Sequence, residues 1–514
     1  VHYMCKECLI NYLETETKGE IPREDIESLV LNGETIIQND FVTLEKQKEK
    51  EEKGYKYSGI YELKLPESIQ KNAREIDDLL KDIKVCDPAV GSGAFPLGMI
   101  NEIVGARQVL QVYLRDNLSI YDLKYHAIAN SIYGVDIDPG AVDIARLRLW
   151  LSLVVEEKEP KLLPNLDYKI MQGNSLVSEY KGIKLFDKSL LSTKEEKFIQ
   201  LGLSFEINSE IKMKELQDKT RLYIKESQRA EKQELKKEID DIKWDLIEET
   251  LKDYGRQEKI DEVRKLRDKN IKPFFIWELE FLDVFKNKGG FDVVIGNPPY
   301  VGEKGHRDIF QQIKKGNLAK FYQGKMDLFY FFFHLALEIG RDRGENAFIT
   351  TNYYLTAQGA QKLRTDLKKR SIIRNLINFN ELKIFKSAKG QHNMITIFSK
   401  GVNGSTLAKN CITTRKGYAD GRVLNLIVSF KDSETNYYYV KQEDLYDVPQ
   451  NYIRLEGNRA GNTLIDSILE KIKSQGEMLG NICNVNQGIV TGADRLSSRH
   501  LRNYRIQGQE GDGI

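Results

Sequence analysis

The chain has 514 residues, 40% of them hydrophobic, enough for roughly two or three domains with real cores. Its 78 Lys and Arg against 77 Asp and Glu leave a formal charge of +1, which excludes a global basic field and leaves any nucleic-acid surface to local patches. Five cysteines are too few for a disulfide framework and point to a reducing, cytoplasmic setting.

Residues 1–14, "VHYMCKECLINYLE", read as an amphipathic helix without the basic start or continuous apolar run of a signal peptide. Cys5 and Cys8 lack a second pair or a nearby His pair, so they read as thiols on one helix face and no metal is expected. The charge run "LEKQKEKEEKGYK" reads as a solvated loop. From "IKVCD" (83–87) short apolar strands alternate with helical stretches: "GAFPLGMINEIVGARQVLQVYL", the strand "IYGVD", the helix "GAVDIARLRLWLSLVV" and the strand "YKIMQ". This alternation predicts a doubly wound α/β domain.

Residues 193–272 break the pattern. They are dense in charge, and Leu235, Ile239, Ile242 and Leu246 form the stripe of a packed helix, so a helical insertion with a solvated charged surface is expected. The alternation resumes with a strand at 291–296, a helix from Met326, the strand "NAFIT", a helix at 357–370 and strands in "IIRNLINF" and "NMITIF". The run "LFYFFFHLALEIG" from Leu328 is too short to span a bilayer and holds His334 and Glu338, so a buried helix and no membrane association are expected. Beyond Gly401 the periodicity weakens, and the closing "GQEGDGI" reads as no domain end, so the chain is expected to be a piece of a longer protein. The expected divisions are an N-terminal helical region (1–82), two halves of one domain (83–192 and 273–400) around the insertion (193–272), a connecting region (401–475) and the truncated start of another module (476–514).

Four strand ends carry chemistry. The first ends in "CDPAVGSGAF", where Asp87 and Pro88 stop the strand and Gly91 and Gly93 let backbone approach a ligand before a helix starts. A dinucleotide fold would want a third glycine where Pro96 stands, and no Gly-Lys-Ser/Thr follows, so neither nicotinamide nor a Walker A loop fits. The second strand ends in "GVDID", and an acid there, Asp136, can accept ribose hydroxyls, while Asp138 can cap the next helix. The third ends in "QGNSL", placing Asn174 at the same edge. The fourth, "GGFDVVIGNPPYVG", is an apolar strand that runs into Asn297, Pro298, Pro299 and Tyr300. A strand-terminating turn would account for that stretch alone.

In this order, the four ends resemble the gamma-class adenine-N6 DNA methyltransferases over roughly residues 80–400, "DPAVGSGAF" matching that family's first motif and "GNPPYV" its fourth. The resemblance implies a Rossmann-like S-adenosylmethionine-dependent methyltransferase sheet. Asp87, Pro88, Ala89, Gly91 and Gly93 would line the methionine end of S-adenosylmethionine, Asp136 would hold the ribose, and Ile137 and Asn174 would lie at the cofactor adenine. "VHYM" resembles the end of the family's motif that precedes the first. The Asn297 side-chain oxygen and the Pro298 carbonyl would accept the hydrogens of the target amine, with Pro299 stiffening the chain and Tyr300 offering an aromatic face to a base flipped from the duplex.

"NVNQGIVTGADR" resembles the start of a TaqI-like target-recognition domain. Arg495, Arg499, Arg502 and Arg505 behind it suit phosphate contacts, although a solvated basic face accounts for them too. With the insertion, these features resemble the modification part of a type IIG restriction-modification enzyme. The resemblance implies double-stranded DNA as the partner and a fused nuclease as a possible domain outside these residues. The alternatives are transfer to a protein glutamine or an RNA base, and a non-catalytic DNA-binding scaffold that keeps the fold.

Overall fold

The computed structural model describes residues 1–33, 35–36, 65–156, 163–191, 203–226, 228–269, 271–385, 392–402, 406–457 and a few positions between 468 and 482. The charge run at 44–56 and the four arginines of the tail lie outside the described residues. Val1–Gly457 forms one compact unit and Asn458–Ile514 another. The sheet and the helices that cover it belong to the first.

The first half of that unit holds α1 (His2–Glu16), α2 (Ala73–Asp82), β1 (Val85–Asp87), α3 (Ala94–Leu114), α4 (Ile120–Asn130), β2 (Ile132–Asp136), α5 (Pro139–Val154) and β3 (Ile170–Gln172). The helices α6 (Leu203–Lys225), α7 (Arg229–Asp253) and α8 (Gln257–Asp268) come next. The second half holds β4 (Phe291–Gly296), α9 (Phe329–Ile339), β5 (Gly340–Thr351), α10 (Gln361–Arg370), β6 (Ser371–Asn378), β7 (Asn393–Lys400), β8 (Ala408–Thr413) and β9 (Thr435–Val440).

Nine strands form one sheet in the order β9-β8-β6-β7-β5-β4-β1-β2-β3. Neighbours from β5 through β4, β1 and β2 to β3 run parallel, β7 is antiparallel to β5 and β6, and β9 is antiparallel to β8. Helices cover both faces, so the central strands β1 and β4 are buried along their whole length rather than on alternate residues. Every residue of β4 is buried. Val293 and Ile295 join the core with α1 and α3, while Val294 points into the aromatic core around α9, the two-residue period of a strand. The fold is Rossmann-like, and its order reverses beside β1: the chain runs outward through β2 and β3, then returns on the other side at β4.

Three features depart from the sequence pattern. α1 is buried on nearly every side, from Met4 through Leu13 with Asn11 included, because it packs on α3 and on strand β5. Asn11 is accommodated there by Glu345, which accepts from its Nδ2 at 3.4 Å. Second, periodicity does not single out α4; a capping box at its start pairs Ser119 with Asp122. Third, residues 401–475, expected as a connecting region, carry β8 and β9 of the same sheet.

Helices α6 to α8 build their own core with Tyr168, Val177, Phe186, Phe274 and Ile276, in which Ile239, Ile242 and Leu246 are buried and Leu235 partly so. Their charges pair across helices, as in Lys212–Glu249 (2.6 Å), Lys219–Glu238 (2.9 Å) and Arg267–Asp241 (2.7 Å). Among the described residues no helix is long and apolar enough to cross a membrane.

Candidate active site

In-register pairing brings the four strand ends to one edge. Asp87 lies opposite Gly134, Asp136 opposite Gln172, and Cys86 opposite Val294. The crevice at the carboxyl ends of β1 and β4 is therefore the switch point at which open α/β sheets take ligands.

The turn after β1 is built on glycine. Gly91 and Gly93 have φ of +50° and +78°, the left-handed region that a side chain resists. A Cβ on Gly93 would also lie 3.2 Å from the Cα of Ala145 in α5. Asp136 holds this turn from the neighbouring strand: its Oδ2 accepts from Gly91 N at 2.8 Å, and its Oδ1 accepts from Asp138 N at 3.0 Å. Each carboxylate oxygen keeps acceptor capacity for a ligand hydroxyl. Asp138 caps α5 by accepting from Gly140 N at 2.9 Å, and Ile137 beside it is 67% exposed.

Asp87 is 2% exposed and accepts from Ala89 N at 3.0 Å. Burial pushes its carboxyl up to about 8, with the charge of Asp136 adding to the rise. Its Oδ1 would lie 2.6 Å from a Cβ on Gly296, so this carboxyl sits directly under the residue that precedes Asn297. The Pro88 carbonyl, below the turn, accepts from Ser175 Oγ at 2.7 Å. Asn174 Oδ1 accepts from Leu176 N at 3.2 Å. Phe275 covers Gly173, where an added Cβ would meet the ring at 2.2 Å, and Trp277 Nε1 donates to the Ser175 carbonyl at 3.0 Å. The segment returning from the insertion thus walls the third strand end.

After β4, Asn297 and Pro299 are exposed, Pro298 is buried and Tyr300 half-buried. The Tyr300 hydroxyl lies 2.6 Å from Asn297 Oδ1 and 2.9 Å from the Ile349 carbonyl at the end of β5, and its ring meets Phe329 edge-on at 6.0 Å. Burial raises the Tyr300 phenol, with the neighbouring Asn393 amide as the opposing influence. Asp327 Oδ1 accepts from Val301 N at 3.0 Å; burial raises this carboxyl while backbone N–H groups of Phe329, Val301 and Leu328 hold it down. Sequence reasoning names none of Asp327, Ser175, Trp277 and Ile349, because each acts through its position in the fold. Cys5 and Cys8 are both buried in α1, and burial raises both thiols.

A buried acid, a glycine turn held by a second acid and an exposed Asn-Pro-Pro-Tyr corner thus meet at one switch point of a Rossmann-like sheet. Residues 130–385 match the family described as the Eco57I restriction-modification methylase. The chain carries an Eco57I-type restriction-modification methylase domain. It is 28% identical over 366 residues to the putative type II restriction enzyme and methyltransferase RM.MjaORFECS2P of Methanocaldococcus jannaschii, covering 63% of this chain and 30% of that protein. It is 25% identical over 238 residues to the type II methyltransferase M.HindII of Haemophilus influenzae, covering 42% of each. The chain therefore spans less than half the length of these curated relatives. A solved structure of the type IIL restriction-modification enzyme MmeI in complex with DNA is 13% identical, with a TM-score of 0.37 over 76% of this chain and 38% of that one.

Proposed function

We propose that this chain is a site-specific DNA methyltransferase of a restriction-modification system, which transfers a methyl group from S-adenosylmethionine to adenine N6 of a base flipped out of duplex DNA. The observation that carries the reading is the contact across the switch point: Asp87 lies under Gly296, so the glycine turn and Asn297 face one crevice. S-adenosylmethionine fits what the residues present. Asp87 would offer a buried carboxyl at the methionine end, Asp136 would offer acceptors for ribose hydroxyls, and Ile137 and Asn174 would offer an apolar and an amide surface for an adenine. When bound, it supplies an electrophilic methyl group on sulfur.

The amine of adenine is a poor nucleophile because its lone pair is delocalised into the ring. Acceptance of its hydrogens by the Asn297 oxygen and the Pro298 carbonyl localises that lone pair on nitrogen and aims it. Tyr300 orients Asn297: its hydroxyl donates to Asn297 Oδ1 at 2.6 Å, the length of an O–H···O bond, and the second lone pair of that oxygen remains for the amine. The ring then remains as a stacking face for the base.

The longer protein is proposed to carry the remaining recognition module, with Arg495, Arg499, Arg502 and Arg505 on phosphates, and a nuclease. The test is transfer of labelled methyl from S-adenosylmethionine to unmethylated DNA followed by nucleoside analysis. Label in N6-methyladenine is expected. Label in protein or RNA alone, or cofactor binding with no transfer to any acceptor, would refute the reading.

A further inference from the structure

The segment between Gly302 and Asp327 leaves the Asn-Pro-Pro-Tyr corner and returns to it. Its stems are tied together: Leu328 N donates to the Val301 carbonyl at 2.8 Å, Glu303 N donates to the Met326 carbonyl at 2.9 Å, and Gly302 bridges Asp327. Phe310, Ile313 and Leu318 are buried beneath it, Phe310 against Phe331 of α9 at 6.1 Å. At the far side Lys362 Nζ donates to the carbonyls of Lys320 (2.6 Å) and Tyr322 (2.7 Å), and Lys362 N donates to Gln323 Oε1 at 2.7 Å. The result is a braced platform.

Residues 303–325 carry six cations, Lys304, Arg307, Lys314, Lys315, Lys320 and Lys325, against two acids, Glu303 and Asp308. This excess of four stands in a chain whose whole charge is +1. Glu303 accepts from the Tyr322 hydroxyl, and Lys314 lies over the Tyr322 ring at 3.9 Å. Among the described residues only Lys320 of the six approaches a carboxylate, that of Glu338, at 3.6 Å. Lys304, Arg307, Lys315 and Lys325 are exposed. A charged surface that serves only solubility would be expected to mix signs and pair them, as the insertion does. Here one sign is collected on a stiff support at the rim of the crevice.

We propose that this platform is a phosphate-contacting surface for duplex DNA beside the point where the target nucleotide leaves the helix. The proposal rests on the methylation reading and adds where the backbone is gripped. It places sequence-independent affinity on the same element that presents Asn297, so the grip on the strand also sets the distance between the duplex and the crevice.

The test uses the chain with Lys304→Ala/Arg307→Ala and with Lys315→Ala/Lys325→Ala, titrated against a labelled DNA duplex over a series of salt concentrations. Each lost phosphate contact lowers the slope of log affinity against log salt by about 0.9. Each pair is therefore expected to flatten the slope by roughly 1 to 2 and to weaken binding at low salt. Titration with S-adenosylmethionine and thermal unfolding should match wild type, and Lys304→Arg should retain the wild-type slope. A slope unchanged in both pairs, with the wild-type chain methylating DNA, overturns the platform and leaves the methylation reading standing. Failure of the wild-type chain to bind duplex DNA overturns the platform, while the methylation reading stands or falls by the methyl-transfer assay.

Discussion

Tyr300→Phe separates the two roles assigned to this side chain. The ring stays, and with it the stacking face and the edge contact with Phe329 at 6.0 Å. Only the hydroxyl at 2.6 Å from Asn297 and 2.9 Å from the Ile349 carbonyl is lost. One net hydrogen bond is worth about 0.5–1.5 kcal/mol, and each 1.36 kcal/mol of barrier is about tenfold in rate. If that bond holds the carboxamide with its oxygen toward the base, the chemical step should slow by roughly threefold to tenfold. Asn297→Ala, which removes the oxygen itself, should cost roughly 100- to 1,000-fold, the scale of a deleted transition-state hydrogen-bonding group.

The assay is single-turnover methyl transfer with enzyme in excess, which reads chemistry apart from product release. Cofactor and DNA affinities measured alongside should stay at wild-type values. A single-turnover rate for Tyr300→Phe equal to wild type would refute the orienting role of the hydroxyl. A fall in DNA affinity with an unchanged rate would assign the hydroxyl to the DNA instead.

Asp136→Ala should weaken S-adenosylmethionine by about 1.5–3 kcal/mol, the range for hydrogen bonds to a charged group; calorimetric titration that shows no change would place the ribose elsewhere. Asp87, raised to about 8, should make cofactor affinity depend on pH. A bound cation favours the carboxylate and lowers its pKa, so binding releases a proton below 8 and affinity rises with pH until it flattens above that value; calorimetry in buffers of different ionisation heat would show the release. Gly296→Ala puts a Cβ 2.6 Å from Asp87 Oδ1, and this overpacking should cost roughly 1–3 kcal/mol of stability in urea unfolding; an unchanged midpoint would mean that β1 and β4 part easily at the crevice.

The strand ends were legible because their signals are local. An apolar run of five or six residues stopped by "DPAVGSG", "DID" or "NPPY" reads as a strand, a turn and a polar group without knowledge of its neighbours, and the stripe in α7 is likewise contained in one window. What the sequence determined by itself is therefore which residues stand at strand ends and where the helical insertion interrupts the alternation. Tertiary structure decided which of these ends meet. Asp87 lies under Gly296, far along the chain, and Tyr300 finds its second oxygen on Ile349; no sequence window contains either pair. It also buried α1 on nearly all sides and carried the sheet on through β8 and β9. Strand pairing and helix docking are satisfied by backbone hydrogen bonds and apolar area, which many segments can supply, so periodicity names the elements while only the packed sheet selects their partners.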